Sequence, residues 1–242
     1  MKGTVLVTGA AKRLGRDIAL YLAQRGMDVV IHCHRSESAA AELQGHIESL
    51  GQRAVVVPED LSAEGGAQRL MERAIRAFSG LDAVVNSASI YPADTILNVT
   101  SDSVMRNMQV NAVSPLLIAR EFAVRCGGGA VVNLLDSRMV AFDREHAAYH
   151  LSKRVLDSVT RMLALELAPR VRVNAVAPGF VLPPEHAPAD YFEKGIADVP
   201  LRRQGSPSHV SRAVAFLIDH DFITGQTIFV DGGRHLNSAF YG

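Results

Sequence analysis

Thr4-Val5-Leu6-Val7-Thr8-Gly9-Ala10-Ala11-Lys12-Arg13-Leu14-Gly15 carries the most informative pattern near the start of the chain. A β-branched run ends at a glycine, and a sequence of helical character opens within six residues. Gly9 allows a tight turn, and the backbone N–H groups at the start of the following helix can bind a pyrophosphate. Arg13 stands where the G-x-x-x-G-x-G form carries its middle glycine. A glycine turn also occurs in α/β proteins that bind no nucleotide, so the rest of the chain has to decide.

Working outward, short Val/Ile/Leu-rich runs recur at 4–7, 28–32, 54–57, 83–86, 130–134, 172–176 and 227–230. Most are nearly continuous rather than alternating, as expected of strands covered on both faces in a parallel sheet. Between them lie stretches of helical period at roughly 14–25, 37–50, 65–78, 101–125, 147–168 and 207–218. Ser206-Pro207 reads as an N-cap followed by proline at the first helical position, and Gly26 and Gly51 as helix C-caps. Strict β-α alternation with right-handed crossovers predicts a doubly wound, Rossmann-type α/β fold with about seven parallel strands and helices on both faces. Residues 1–242 read as one domain, without linker or repeat. The rhythm breaks only at 180–204, which holds Pro183, Pro184, Pro188 and Pro200 around a weak helical piece at 189–197. An irregular insertion after the sixth strand is expected to cover a ligand.

Composition excludes several classes. The chain has 242 residues, is 48% hydrophobic, and balances 25 Lys and Arg against 25 Asp and Glu. That length suffices for about three quarters of the unfolded surface to be buried, and the balance gives no pull toward nucleic acid or an anionic membrane. No apolar stretch is long enough for a membrane span, and the residues after Met1 show no signal-peptide core. Cys33 and Cys126 are far apart, leaving one disulfide or two reduced thiols; the latter, in a cytoplasmic protein, is expected.

The end of the second strand discriminates between cofactors. An NAD enzyme commonly carries Asp or Glu about 20 residues past the glycine turn, bound to the ribose 2′-hydroxyl. Here the region reads His32-Cys33-His34-Arg35-Ser36, with no acid before Glu37. Arg35 can pair with a 2′-phosphate, Ser36 can donate to it, and Arg13 adds charge from the turn. NADPH, rather than NADH, is therefore expected; the alternative is a solvated loop arginine. His32 and His34 share a strand face, but no third ligand suggests a metal.

Tyr149-His150-Leu151-Ser152-Lys153 opens the helix after the fifth strand. Residues four apart share a helix face, so the Tyr149 hydroxyl and the Lys153 ammonium can converge. A phenol titrates near 10; a neighbouring cation lowers that value and suits it to proton transfer. His146 and His150, which flank Tyr149, read as satisfied or solvated.

With these residues in place, the chain resembles a short-chain dehydrogenase/reductase over essentially its whole length. Thr8–Gly15, Asp60-Leu61, Asn86-Ser87-Ala88-Ser89, Asn111, Tyr149/Lys153, Pro178-Gly179 and Asp231-Gly232-Gly233 follow the family's order and spacing. The resemblance implies that Gly9, Arg13, Leu14, Gly15, His34, Arg35 and Ser36 hold the cofactor and that Asp60 and Leu61 meet its adenine. Asn86, Ser87 and Ala88 would support the strand beside it, Lys153 the nicotinamide ribose, and Pro178-Gly179 the nicotinamide. Asn111 would hold a water on a proton relay. A homotetramer built on the 101–125 and 147–168 helices is implied as well.

Two departures sharpen the expectation. The family's serine thirteen residues before the tyrosine is Asp136 here, and no hydroxyl residue stands in Phe180-Val181-Leu182. Asp136, the Arg13-x-Gly15 turn and His32-x-His34-Arg35-Ser36 together are similar to the pteridine reductase branch, including dihydromonapterin reductases. There an aromatic residue stacks on the pterin; Ser89 and Tyr91 are the matching substrate-side residues, in a loop one residue shorter. A carboxyl group can relay a proton to a ring nitrogen and accept bonds from an aminopyrimidine edge. An Asp136 that caps its loop or pairs with Arg138 is the structural alternative. The expected activity is thus NADPH-dependent reduction of a pterin-like small molecule. A generic carbonyl reductase of the 3-oxoacyl type and a non-catalytic nucleotide-binding regulator are the alternatives.

Overall fold

The computed structural model describes residues 1–142, 144–183 and 190–237; the middle of the expected covering loop and the end of the C-terminal tail lie outside them. Seven parallel strands form one sheet: β1 (Thr4–Thr8), β2 (Asp28–Cys33), β3 (Ala54–Pro58), β4 (Ala83–Asn86), β5 (Gly129–Leu134), β6 (Val171–Pro178) and β7 (Thr227–Val230), in the order 3-2-1-4-5-6-7. The chain leaves β1 toward β2 and returns on its other side as β4, with Val7 beside Ile31 and Thr8 beside Asn86. That reversal opens a crevice at the carboxyl ends, where open α/β sheets bind ligands.

The inner strands formed from these runs are buried on both faces, while β3 and β7 at the sheet edges are only partly buried. Helices α1 (Arg13–Gln24), α2 (Glu37–Ser49) and α8 (Pro207–Asp219) cover one face through Ile18, Leu22, Leu43 and Val214. Helices α3 (Gly66–Phe78), α5 (Ser114–Arg125) and α6 (Ala147–Glu166) cover the other through Leu70, Ile118, Phe122 and Leu156. Full burial of each such side chain contributes roughly 1.5–3 kcal/mol. The expected 101–125 helix is interrupted. An α-helix α4 (Ser101–Met108) passes through a π-helical turn, Gln109–Val113, into α5. Single π turns inside helices concentrate at functional sites, and Asn111 sits at the centre of this one.

On α6, Leu156, Val159 and Leu163 face the core, whereas Val155, Met162 and Leu165 remain exposed. Within residues 180–204, α7 (Tyr191–Ile196) carries Tyr191 and Phe192 edge-on against the Phe180 ring. Ser206 and His209 form a reciprocal cap at the start of α8, and α1 and α2 end ahead of Gly26 and Gly51.

Candidate active site

The glycine turn is pinned from three sides. The Gly9 N–H donates to Nδ1 of buried His32 at 3.1 Å, and the Ala10 N–H to the His32 carbonyl at 2.9 Å. On the β4 side, Thr8 Oγ1 accepts from the Ser87 and Ala88 N–H groups, both at 3.0 Å. Gly9 has φ +64°, and a Cβ there would lie 2.8 Å from Ala88 Cα. A Cβ on buried Gly15 would meet the Gly9 carbonyl oxygen at 2.3 Å. Both glycines are thus required by close backbone approach. Arg13 adopts φ 52°, a left-handed conformation that costs a non-glycine residue roughly 1–2 kcal/mol. Its guanidinium donates to the Pro183 carbonyl, joining the turn to the segment after β6.

His32 Nε2 meets the Glu59 carbonyl at 3.1 Å, so both ring nitrogens are spent on backbone groups. This arrangement requires a neutral ring, and burial pushes its pKa down to about 4. Beyond it the exposed end of β2 presents a polar rim. His34 lies 3.6 Å from the Asp60 carboxylate, which the Ser62 hydroxyl and then Ser62 N–H hold below the usual carboxylate range. Arg35 is exposed, and Ser36 occupies the N-cap position of α2 without using its hydroxyl to cap. Leu14 and Leu61 pack into the two cores. Among the described residues, no group of three His, Cys, Asp or Glu could hold a metal ion.

Further along the crevice, Asn86 Nδ2 donates to Asn133 Oδ1 (2.8 Å), and Asn133 Nδ2 to Thr160 Oγ1 (2.9 Å). The Asn86 side-chain oxygen Oδ1 is buried without a partner, an orphan acceptor beside the turn. At the end of β6, Gly179 allows Asp231 so close that a Cβ would fall 2.5 Å from the Asp231 Cβ.

The chemistry-bearing residues converge from two elements. Asp136 opens the 3₁₀ turn Ser137–Val140 after β5, and Tyr149 and Lys153 rise from the first turns of α6. The Tyr149 hydroxyl donates to Asp136 Oδ2 at 3.0 Å. Asp136 Oδ1 accepts from the Arg138 N–H at 2.8 Å and lies 3.5 Å from Arg138 Nε. Both structural roles foreseen for Asp136 are therefore present, and the Tyr149 contact is added to them. Lys153 Nζ is buried and donates to the Leu134 carbonyl at 2.7 Å, passing 5.6 Å from the centroid of the Tyr149 ring. Burial lowers the Lys153 ammonium to about 8, opposed by the Asp136 charge.

The phenol departs from the expectation. Burial first, then the neighbouring Asp136 carboxylate, push the Tyr149 hydroxyl well above its ordinary value of about 10. The Arg138 guanidinium works the other way and does not offset them. Tyr149 is consequently held as a protonated phenol.

Asn111 is a fastener. Its Oδ1 accepts from the Ile90 N–H at 2.9 Å and the Ser89 hydroxyl at 3.2 Å, while Nδ2 donates to the Ile90 carbonyl and to Ser152 Oγ, both at 3.0 Å. It ties the Ser89–Tyr91 loop to α6. Asp94 reinforces the tie: Oδ1 accepts from the Ala148 N–H at 3.0 Å, capping α6 from 54 residues away. Three further residues were not legible as site residues. The Arg138 guanidinium donates to Tyr91 Oη at 2.7 Å. The His146 ring stacks on Tyr91 with centroids 3.8 Å apart, and Tyr91 meets the Tyr149 ring edge-on at 4.6 Å. His146 sits three residues before Tyr149, a spacing that returns to one helix face; Arg138 and Asp94 offered no periodic signal. A cavity of about 480 Å³ lies beside Phe180, Leu201, His209 and Phe229. It contains none of Asp136, Tyr149 and Lys153, so it is separate from this cluster.

Comparison with known proteins agrees with this architecture. Residues 9–235 match the family model described as enoyl-(acyl carrier protein) reductase. A short-chain type dehydrogenase/reductase of Picea abies is 33% identical, with 95% of this chain and 91% of that protein covered. The L-rhamnose 1-dehydrogenase (NAD(P)(+)) of a Sphingomonas species is 32% identical, covering 97% of this chain and 96% of its own. Among solved structures, FolM alternative dihydrofolate reductase 1 from Brucella canis, complexed with NADP, superposes with a TM-score of 0.92 at 35% identity, covering 96% of this chain and 94% of that one. A Rossmann-type sheet, a glycine turn fastened at its switch point and a Tyr/Lys helix match relatives along nearly their whole length, and the chain belongs to the short-chain dehydrogenase/reductase family of oxidoreductases.

Proposed function

We propose that this chain is an NADPH-dependent reductase of a pteridine, converting a dihydropterin to its tetrahydro form. The observation that carries the reading is the 3.0 Å hydrogen bond from Tyr149 to the carboxylate of Asp136. Two proton-handling groups face one point, where a simple carbonyl reductase needs only a hydroxyl and a phenol. The FolM structures, of proteins named alternative dihydrofolate reductase 1, lend the reading support.

The residues present fit NADP. Arg35, the free Ser36 hydroxyl and Arg13 suit a 2′-phosphate and a pyrophosphate, and the unpartnered Oδ1 of Asn86 is an acceptor without a donor beside the glycine turn. When bound, the dinucleotide supplies the hydride. The protein supplies position and protons. Lys153 orients the ribose from its seat on the Leu134 carbonyl. Asp136, with its side chain 19% exposed, links bulk water to the site and passes a proton toward a ring nitrogen. Tyr149, held protonated, is the second donor. Tyr91, stacked on His146, offers a ring edge to the substrate, and Ser89 closes the loop beside it. Asn111 and Arg138 keep these groups in register. We further propose a homotetramer, since Met105, Val155, Met162 and Leu165 leave apolar surface on α4 and α6.

Steady-state NADPH oxidation with dihydrobiopterin and with a small diketone tests the assignment. The parent should turn over the pterin; Asp136→Asn should lose about 10²–10⁴-fold, the usual worth of a general acid, with NADPH binding nearly unchanged. Asp136→Ser should not rescue it. If that variant stays within about threefold of the parent, well short of the general-acid range, Asp136 is not the proton source. A carbonyl reductase acting on acyl-type substrates is the second reading, favoured by the description of the matched family model. Robust diketone turnover without pterin turnover would select it.

A further inference from the structure

Arg234 has no role in the chemistry above, yet it stands beside it. It opens the 3₁₀ turn Arg234–Asn237, which packs against the Ser137–Val140 turn that follows Asp136. Its guanidinium carbon lies 3.9 Å from the centroid of the Phe180 ring, directly after the Pro178-Gly179 pair. The side chain is half-buried, and among the described residues its N–H groups make no hydrogen bond and no ion pair. A guanidinium carries five donors in a rigid fork. Leaving a partly buried one without an acceptor is costly, and stacking on one face does not satisfy the donors at its edges.

The electrostatic setting explains why no protein group does so. Asp136 is already committed to Arg138 and Tyr149. Burial, and next the repulsion of Arg138, lower the Arg234 pKa, while Tyr191, Asp198 and Asp136 pull it back. Two guanidiniums thus share the mouth of the site with Asp136, which Arg138 and Tyr149 already hold, while Asp198 attracts Arg234 without forming an ion pair with it. The imbalance calls for an anion supplied from outside, and a fork stacked on an aromatic ring is suited to bidentate recognition of a carboxylate.

We infer that Arg234 is a receptor for an anionic group on the substrate, so that the preferred substrate is a pterin whose side chain carries a carboxylate. The inference rests on the pteridine reading and narrows it. The reacting ring occupies Asp136 and Tyr149, so the acid must sit on a tail that leaves the ring toward Phe180. A pterin with a neutral side chain would leave Arg234 without a partner.

Kinetics of the intact enzyme with dihydrofolate and dihydrobiopterin test this, alongside calorimetric titration of the NADP⁺-loaded protein with folate and biopterin. The parent should favour dihydrofolate. Arg234→Gln should raise KM for dihydrofolate by about tenfold, equivalent to about 1.4 kcal/mol, with kcat within about twofold and the dihydrobiopterin constants unchanged. Arg234→Lys should recover part of the loss, since the charge remains and the fork does not. Equal effects on both pterins would mean that Arg234 only braces Phe180, and no effect on either would also overturn the inference. If both ligands bind but the variant leaves their ratio intact, this inference falls alone. If the parent neither binds nor reduces any pterin, the pteridine reading and the inference fall together.

Discussion

His32 shows how much one residue can carry. It accepts from two successive amides of the glycine turn and reaches the Glu59 carbonyl, so it couples β1 to the ends of β2 and β3. Its neutral form is the one that fits, and the folded pKa of about 4 lies below the ordinary 6.5. A depressed base leaves the unfolded chain with more bound protons between these values, so stability is fully present above pH 6.5 and is lost as pH falls toward 4. The loss amounts to about 3 kcal/mol. Urea unfolding at pH 7 and pH 4.5 should reveal that drop in the parent and a smaller one in His32→Gln; equal drops would mean that other groups govern acid sensitivity. At the rim, Arg35→Asp should erase or invert a preference for NADPH of at least about tenfold in kcat/KM, read from initial rates with both nucleotides. Equal use of the two by the parent would remove Arg35 from the cofactor assignment.

At the scale of elements, the start of α6 depends on a distant carboxylate. Asp94 accepts from the Ala148 N–H and also from the Ser103 hydroxyl, binding the Tyr91 loop to both α4 and α6. Loss of a helix cap costs about 0.5–2 kcal/mol. Asp94→Ala should therefore lower the denaturation midpoint and raise KM for the pterin, with Asp94→Asn recovering most of both; an unchanged KM would separate the loop from substrate binding. This cap also marks what the sequence could not reveal. The strands were legible because both faces of the sheet are covered, so runs such as Val84-Val85 carry the signal alone. The glycine turn and Tyr149/Lys153 were legible because their parts are adjacent or four residues apart. Asp94, the π turn at Asn111 and the Arg138–Tyr91 contact depend on segments tens of residues apart, and local pattern holds no trace of them. The direction of the phenol's shift in the free protein was hidden for a related reason: spacing brings Lys153 near Tyr149, but only the fold reveals that burial and the Asp136 carboxylate act on the same hydroxyl.

At the scale of the molecule, assembly is the property that its surface predicts. Met162 and Leu165 are 66% and 84% exposed on α6, and apolar area of this kind is usually covered. Light scattering at micromolar concentration should give a tetramer, and Met162→Glu with Leu165→Glu should shift it to smaller species. A monomeric parent would refute the proposed assembly. The strand order has one more consequence, for the making of the protein. The first 86 residues already contain β3-β2-β1-β4, the half of the sheet that bears the glycine turn, whereas Asp136, Tyr149 and the cap on Ala148 arrive some 50 to 60 residues later. Because chains emerge from the ribosome amino end first, the nascent protein possesses its nucleotide cradle well before it possesses any chemistry.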